Sequence, residues 1–182
     1  MRRTGRRHER ELLDTLEAIG SKPFEGEVWR ACIRGRNPLL GSTAPGRWNA
    51  AGEMEALYTS LDQNGALAEI GFRLSQEPVW PSRLEHDLYR LSVKTEKSLH
   101  IDGLPALARL GVDVARYASF DSSQTQAIAA AARFLEFDSL IVPSARSPAT
   151  HLVLILDTLA DIDGLRVLDS APVDWVAWRS RR

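Results

Sequence analysis

The chain has 182 residues, 44% of them hydrophobic and 26% charged, which suits one core-bearing domain and excludes wholesale disorder. Its longest apolar run, Leu152 to Leu156, is far short of the roughly 20 residues of a membrane span, and Met1-Arg-Arg opens no secretory signal. One cysteine, Cys32, excludes an intramolecular disulfide framework and fits a cytoplasmic protein, and the net charge of −1 combines basic ends with an acidic body.

Residues 1–10 hold five arginines, and Arg179-Ser-Arg-Arg closes the chain. Charge at the ends rather than on a folded face is not the pattern of a nucleic-acid-binding domain. Leu12, Leu13, Leu16 and Ile19 recur at helical spacing ahead of Gly20, predicting a short amphipathic helix. Glu27 to Ile33 reads as a strand and runs into residues 34–53, rich in Gly, Pro, Asn and Ser. A connection of that length without periodicity is commonly functional. Ala56 to Thr59 is a second short strand, followed by a helix over 63–75, with Ser60 and Gln63 spaced as a capping box.

Residues 86–101 alternate as one or two strands, and a short helix is expected near 105–110. Ser123 and Gln126 repeat the capping spacing before the alanine-rich segment 127–136, a strong helix former. Ser139–Val142 and His151–Leu156 read as buried strands and Arg166–Leu168 as another. Trp175 and Trp178, three apart, predict one helical face docking on the body. Strands and helices do not alternate as βαβ units, so an α+β fold is expected. The expected divisions are a basic arm and helix over 1–26, a catalytic domain over 27–170 and a Trp/Arg-bearing tail over 171–182.

No phosphate loop, dinucleotide fingerprint or nucleophile elbow is present. His8, His86, His100 and His151 are scattered, and no metal site is expected. What remains is a polar set in the first half. Arg30 follows Val28-Trp29 on a strand, Arg47 sits in Gly46-Arg-Trp48-Asn49, Tyr58 lies on a short apolar strand, and Glu69 borders the apolar face of a helix. Charged groups so placed need a partner or a ligand, and an Arg30–Glu69 ion pair is the structural alternative.

Those segments resemble the RES-domain toxins, named for an Arg, a Glu and a Ser. VWR at 28–30, PGRWN at 45–49, ALYTS at 56–60, ALAE at 66–69, the run 126–145 and HLVLIL at 151–156 fall in the family's order. The chain departs from the pattern at Pro45, which often is Gly, and at Ala149-Thr150-His151, where a Gly and an Asn are frequent. The resemblance implies an ADP-ribosyltransferase-like fold, NAD⁺ as substrate, and a toxin–antitoxin pair with an Xre-like antitoxin partner. It places Arg30, Glu69 and Ser144 in catalytic positions, with Arg47 and Tyr58 at the pocket; Trp48 and Asn49 join them as candidate NAD⁺-binding residues.

The residue types suit cleavage of the nicotinamide–ribose bond, whose transition state resembles an oxocarbenium ion. Glu69 would stabilise that charge, and Arg30 and Arg47 would hold the pyrophosphate in planar forks. Tyr58, with Trp48, could stack on nicotinamide, and Ser144 could orient the ribose or the acceptor. A protein side chain is the first acceptor considered, giving a mono-ADP-ribosyltransferase; phosphate or water would give a phosphorylase or glycohydrolase. From another class, a non-catalytic protein would bind a partner through its basic ends.

Overall fold

The computed structural model describes residues 9–181; the arginines of 1–8, and Arg182, lie outside the described residues. Helix α1 (Arg10–Ile19) leads into strand β1 (Lys22–Ile33). After an irregular connection come β2 (Ala56–Ser60), α2 (Gln63–Ser75) and β3 (His86–His100). Then follow α3 (Gly103–Arg109), a 3₁₀ turn (Val114–Arg116) and α4 (Ser123–Phe134). The chain finishes with β4 (Ser139–Pro143), β5 (Thr150–Ile155), β6 (Arg166–Pro172) and α5 (Trp175–Ser180). The mixed α+β architecture agrees with the absence of βαβ alternation.

The six strands run in the order β1-β2-β5-β4-β3-β6, and β1 also pairs with β3, so five strands close on themselves. The long β3 makes this possible. One edge pairs with β1 from Ile33↔His86 to Lys22↔Ser98, while the other takes β6 first and then β4, in parallel, at Ser98–His100. The segment expected as one or two strands is thus a single strand, His86–His100.

Alternation along the strands divides the core. Leu152 and Leu154 of β5 join Val28, Leu57, Leu91, Val93 and Ile141 on the face the closed strands turn toward one another. Val153 and Ile155 join Leu140, Val142 and Ala56 on the other face, where α4 packs through Ile128, Ala129, Ala131 and Ala132 and α1 through Leu16. Each fully buried Leu or Ile contributes about 1.5–3 kcal/mol.

Three local readings change. Arg166–Leu168 belongs to a longer strand that is exposed throughout, because β6 is an outer strand on β3. Helix α2 is capped by Asp62, whose carboxylate accepts the Gly65 N–H at 2.8 Å; Ser60 is instead the buried last residue of β2. At α4, Asp121 accepts from both the N–H and the hydroxyl of Ser123, so the cap comes from outside the expected pair.

The tail docks as the tryptophan spacing predicts. Trp175 donates its indole N–H to His86 Nδ1 at 3.2 Å and meets Trp80 and Trp178 edge-on. Gly71 of α2 leaves room for the Trp178 ring, which a Cβ would strike. The tail therefore helps seat α2.

Candidate active site

A cleft of about 200 Å³ opens where β1, β2, β5, α2 and the 42–48 segment meet. Each wall follows from local geometry. Ala66, Glu69, Ile70 and Arg73 fall at i, i+3, i+4 and i+7 of α2 and so present one face. Tyr58, and His151 with Val153, enter by strand alternation, and Arg30 enters from β1. Antiparallel register holds these walls together, with Trp29 opposite Ser60, Ser60 opposite His151 and Tyr58 opposite Val153.

Arg30 and Glu69 share the cleft without pairing. Arg30 donates through Nη1 to the Tyr58 carbonyl at 3.2 Å and through Nη2 to the Leu40 carbonyl at 3.3 Å, while its buried Nε has no hydrogen-bond partner. Burial pulls the guanidinium below its usual range, and Arg73 adds to the shift. Glu69 Oε1 lies 3.8 Å from Arg73 Nη2 on the same helix and Oε2 lies 3.9 Å from His151 Nε2. The cleft thus gathers Arg30, Arg47 and Arg73 around one carboxylate, an excess of positive charge suited to a dianionic ligand.

Arg47 is partly committed. It donates to the Ser119 carbonyl at 2.9 Å and lies over the Tyr117 ring, 5.0 Å from its centroid. Arg146 reaches the same segment, donating to the Ala118 carbonyl while stacked 3.8 Å from the Phe72 ring centroid. Burial and the neighbouring Arg47 lower the Arg146 pKa, and Glu69 works the other way. Two arginines therefore converge on residues 117–120.

Tyr58 anchors the loop. Its Oη donates to Asn49 Oδ1 at 2.6 Å and accepts the Trp48 N–H at 3.0 Å; burial pushes its pKa up to about 12. Its hydroxyl is thus spent on structure, although its ring faces the cleft. Asn49 is fully buried and donates to the Ala44 carbonyl at 2.6 Å, so it holds the loop and does not line the cleft. Trp48 does line it, while also packed in the core at 2% exposure. A Cβ on Gly46 would stand 2.6 Å from Tyr58 Oη, so this turn requires glycine.

Ser144 sits just outside the wall formed by Pro143 and Ala145. Its Oγ accepts the Arg146 N–H at 3.0 Å and its own N–H donates to the Ala149 carbonyl, so it shapes the turn that presents Arg146. Arg73, Arg146 and His151 were absent from the sequence-derived site. Arg73, at i+4 from Glu69, was within reach of helical periodicity; His151 and Arg146 enter through strand register and a turn. Among the described residues no group of three His, Cys, Asp or Glu side chains is placed to hold a metal, and no helix is long and apolar enough to cross a membrane.

A family model described as the RES domain matches residues 27–176. A Mycobacterium tuberculosis protein named as a probable NAD(+) phosphorylase is 29% identical over 157 residues, covering 84% of this chain and 75% of its own. In the crystal structure of the M. tuberculosis MbcT–MbcA toxin–antitoxin complex, one chain superposes with a TM-score of 0.82 at 19% identity. The match covers 94% of this chain and 97% of that one.

Proposed function

The chain belongs to the RES-domain family, and from that premise we propose that it is the toxin of a toxin–antitoxin pair and cleaves the nicotinamide–ribose bond of NAD⁺. The observation that carries this reading is the cleft in which Arg30, Arg47 and Arg73 surround Glu69 while Arg30 has no carboxylate partner among the described residues. A pyrophosphate supplies the missing anion, and arginine forks suit its paired oxygens.

In this reading Arg30 and Arg47 bind the dinucleotide phosphates, with Arg146 at the rim. Tyr58 and Trp48 pack against the nicotinamide end. Nicotinamide departs as a neutral base, taking the electron pair of the C1′–N bond. The Glu69 carboxylate stabilises the positive charge left on the ribose, the kind of preorganised electrostatic help that works best in a dry cleft. Ser144 acts through the turn that carries Arg146.

The name of the M. tuberculosis relative favours inorganic phosphate as acceptor. A phosphate oxygen would then bond to C1′, yielding ADP-ribose 1″-phosphate and nicotinamide. The partner we propose is an antitoxin of the Xre-like type, the coarser part of that assignment being supported by the toxin–antitoxin complex of the structural neighbour.

The test is to incubate purified protein with NAD⁺, with and without phosphate and with cell lysate, and to follow nicotinamide release and the fate of labelled ADP-ribose by mass spectrometry. Phosphate-dependent release with ADP-ribose 1″-phosphate is expected. Label on protein would make the acceptor a side chain, and no release under any condition would overturn the NAD⁺ reading.

A further inference from the structure

Among the described residues, His151 is the histidine that lines the candidate active site. Its side chain is 13% exposed, it lines the cleft, and its two nitrogens have unequal surroundings. Nδ1 lies 3.2 Å from the Thr59 carbonyl, which can only accept, so Nδ1 carries the proton. In the neutral ring Nε2 is then a bare acceptor. That atom is buried without a hydrogen-bond partner, and the carboxylate oxygen Oε2 of Glu69, also an acceptor, stands 3.9 Å away.

Two acceptors facing each other cannot bond without a proton between them, so the state of the ring decides what Glu69 does. We propose that His151 is a positioning residue for Glu69: the neutral ring leaves the carboxylate to the cleft, beside Arg73, whereas the protonated ring captures it. Captured, Glu69 would be both turned aside and neutralised as a stabiliser of positive charge on the ribose. The inference rests on the NAD⁺ reading above.

The electrostatic surroundings agree. Burial lowers the His151 pKa below 6.5, the leading effect, while Glu69, the Thr59 carbonyl and Asp62 pull it the other way. Glu69 and Asp62 come from α2 and its cap, with Arg73 beside Glu69. Strand β4, opposite His151 at Val142, presents no titratable group. The ring is therefore neutral near pH 7 and does not hold the carboxylate there.

Two measurements test this on the full chain. The first is the pH dependence of kcat for nicotinamide release by the wild type, His151→Asn and His151→Gln. The wild type should lose about tenfold per pH unit below an inflection lying under 6.5. Neither variant should show that inflection, and KM for NAD⁺ should stay within about threefold, since His151 does not hold the phosphates. An unchanged acid limb in both variants would overturn the proposal.

The second needs no activity: ¹⁵N-histidine NMR, with the His151 signal identified by its loss in the variants. The neutral ring should be the Nδ1–H tautomer, and Glu69→Gln should lower its pKa by removing the nearby negative charge. An Nε2–H tautomer, or a titration indifferent to Glu69→Gln, would sink it. If the wild type releases no nicotinamide at any pH, the NAD⁺ reading fails, while the NMR pair still decides whether the two side chains are coupled.

Discussion

Glu69 and Arg30 line one cleft, yet the carboxylate leans toward Arg73 and His151 while the guanidinium is spent on the carbonyls of Tyr58 and Leu40. No ion pair joins them, so removing one charge does not orphan the other. Glu69→Gln should change stability by no more than about 1 kcal/mol, because its pair with Arg73 is a half-exposed one. Loss of the carboxylate should still lower kcat for nicotinamide release about 10²–10³-fold. Denaturant unfolding together with steady-state kinetics checks both halves. A stability loss above about 3 kcal/mol would show that Glu69 is structural.

Arg30→Gln should behave differently. The amide can satisfy one of the two carbonyls but supplies no charge, so NAD⁺ affinity should fall by about 1.5–3 kcal/mol, the usual worth of a hydrogen bond to a charged group. Isothermal titration of NAD⁺ into the Glu69→Gln background reads this without turnover. Equal affinities with and without Arg30 would remove it from the phosphate site.

Tyr58 and Asn49 form the closed joint of the loop, with the phenol donating to the amide oxygen and receiving the Trp48 N–H. Tyr58→Phe leaves the fully buried Asn49 amide oxygen and the Trp48 N–H without that partner, costing about 1–3 kcal/mol. The loss should appear in chemical denaturation and as a raised KM, because the same loop carries Arg47. A Tyr58→Phe protein of unchanged stability would mean that the loop is held elsewhere.

That joint marks where the sequence stopped being informative. Glu69 and Arg30 were legible because a charge on an apolar strand or helix face demands a reason, and α2 keeps its 3.6-residue period; Arg47, on a loop, was marked only by the resemblance of its segment. The α+β class followed from element order alone. What escaped was long-range. Closure of five strands depends on β3 serving β1 on one edge and both β6 and β4 on the other, a division that no local pattern encodes. His151 reaches Glu69 through the Ser60↔His151 register and Arg146 through a turn built on Ser144, neither visible in spacing. The loop bonds of the Asn49 amide, to Ala44 and Tyr58, are likewise invisible in a polar residue beside Arg47 and Trp48.

Three histidines make stability depend on pH. His86, His100 and His151 all have pKa values lowered from 6.5, chiefly by burial. Each binds its proton less readily in the folded than in the unfolded chain. Stability is therefore complete above pH 6.5 and is lost as the pH falls through the lowered folded values. At His86 protonation also removes the Nδ1 lone pair that accepts the Trp175 indole. The melting temperature should fall as the pH drops below about 6.5, in step with near-UV signals of the tryptophans. A flat melting temperature over that window would contradict the burial of these rings.

Gly71 and Trp178 couple the tail to the site. Gly71 lies two residues beyond Glu69 on α2, and a methyl group there would collide with the Trp178 ring. Because α2 also places Arg73, relief by shifting the helix would misplace both charges in the cleft, and relief by expelling Trp178 would unpack the Trp175–Trp178 contact. Gly71→Ala should therefore cost about 1–3 kcal/mol despite the better helix propensity of alanine, and should raise KM for NAD⁺ as well. The pair is separable by a double-mutant cycle. Trp178→Ala alone opens space, and in that background Gly71→Ala should become neutral or slightly stabilising, since the collision is gone and only the propensity gain remains. If Gly71→Ala is equally harmful with and without the Trp178 ring, the tail does not set the position of α2, and its tryptophans serve only to cover His86 and Trp80.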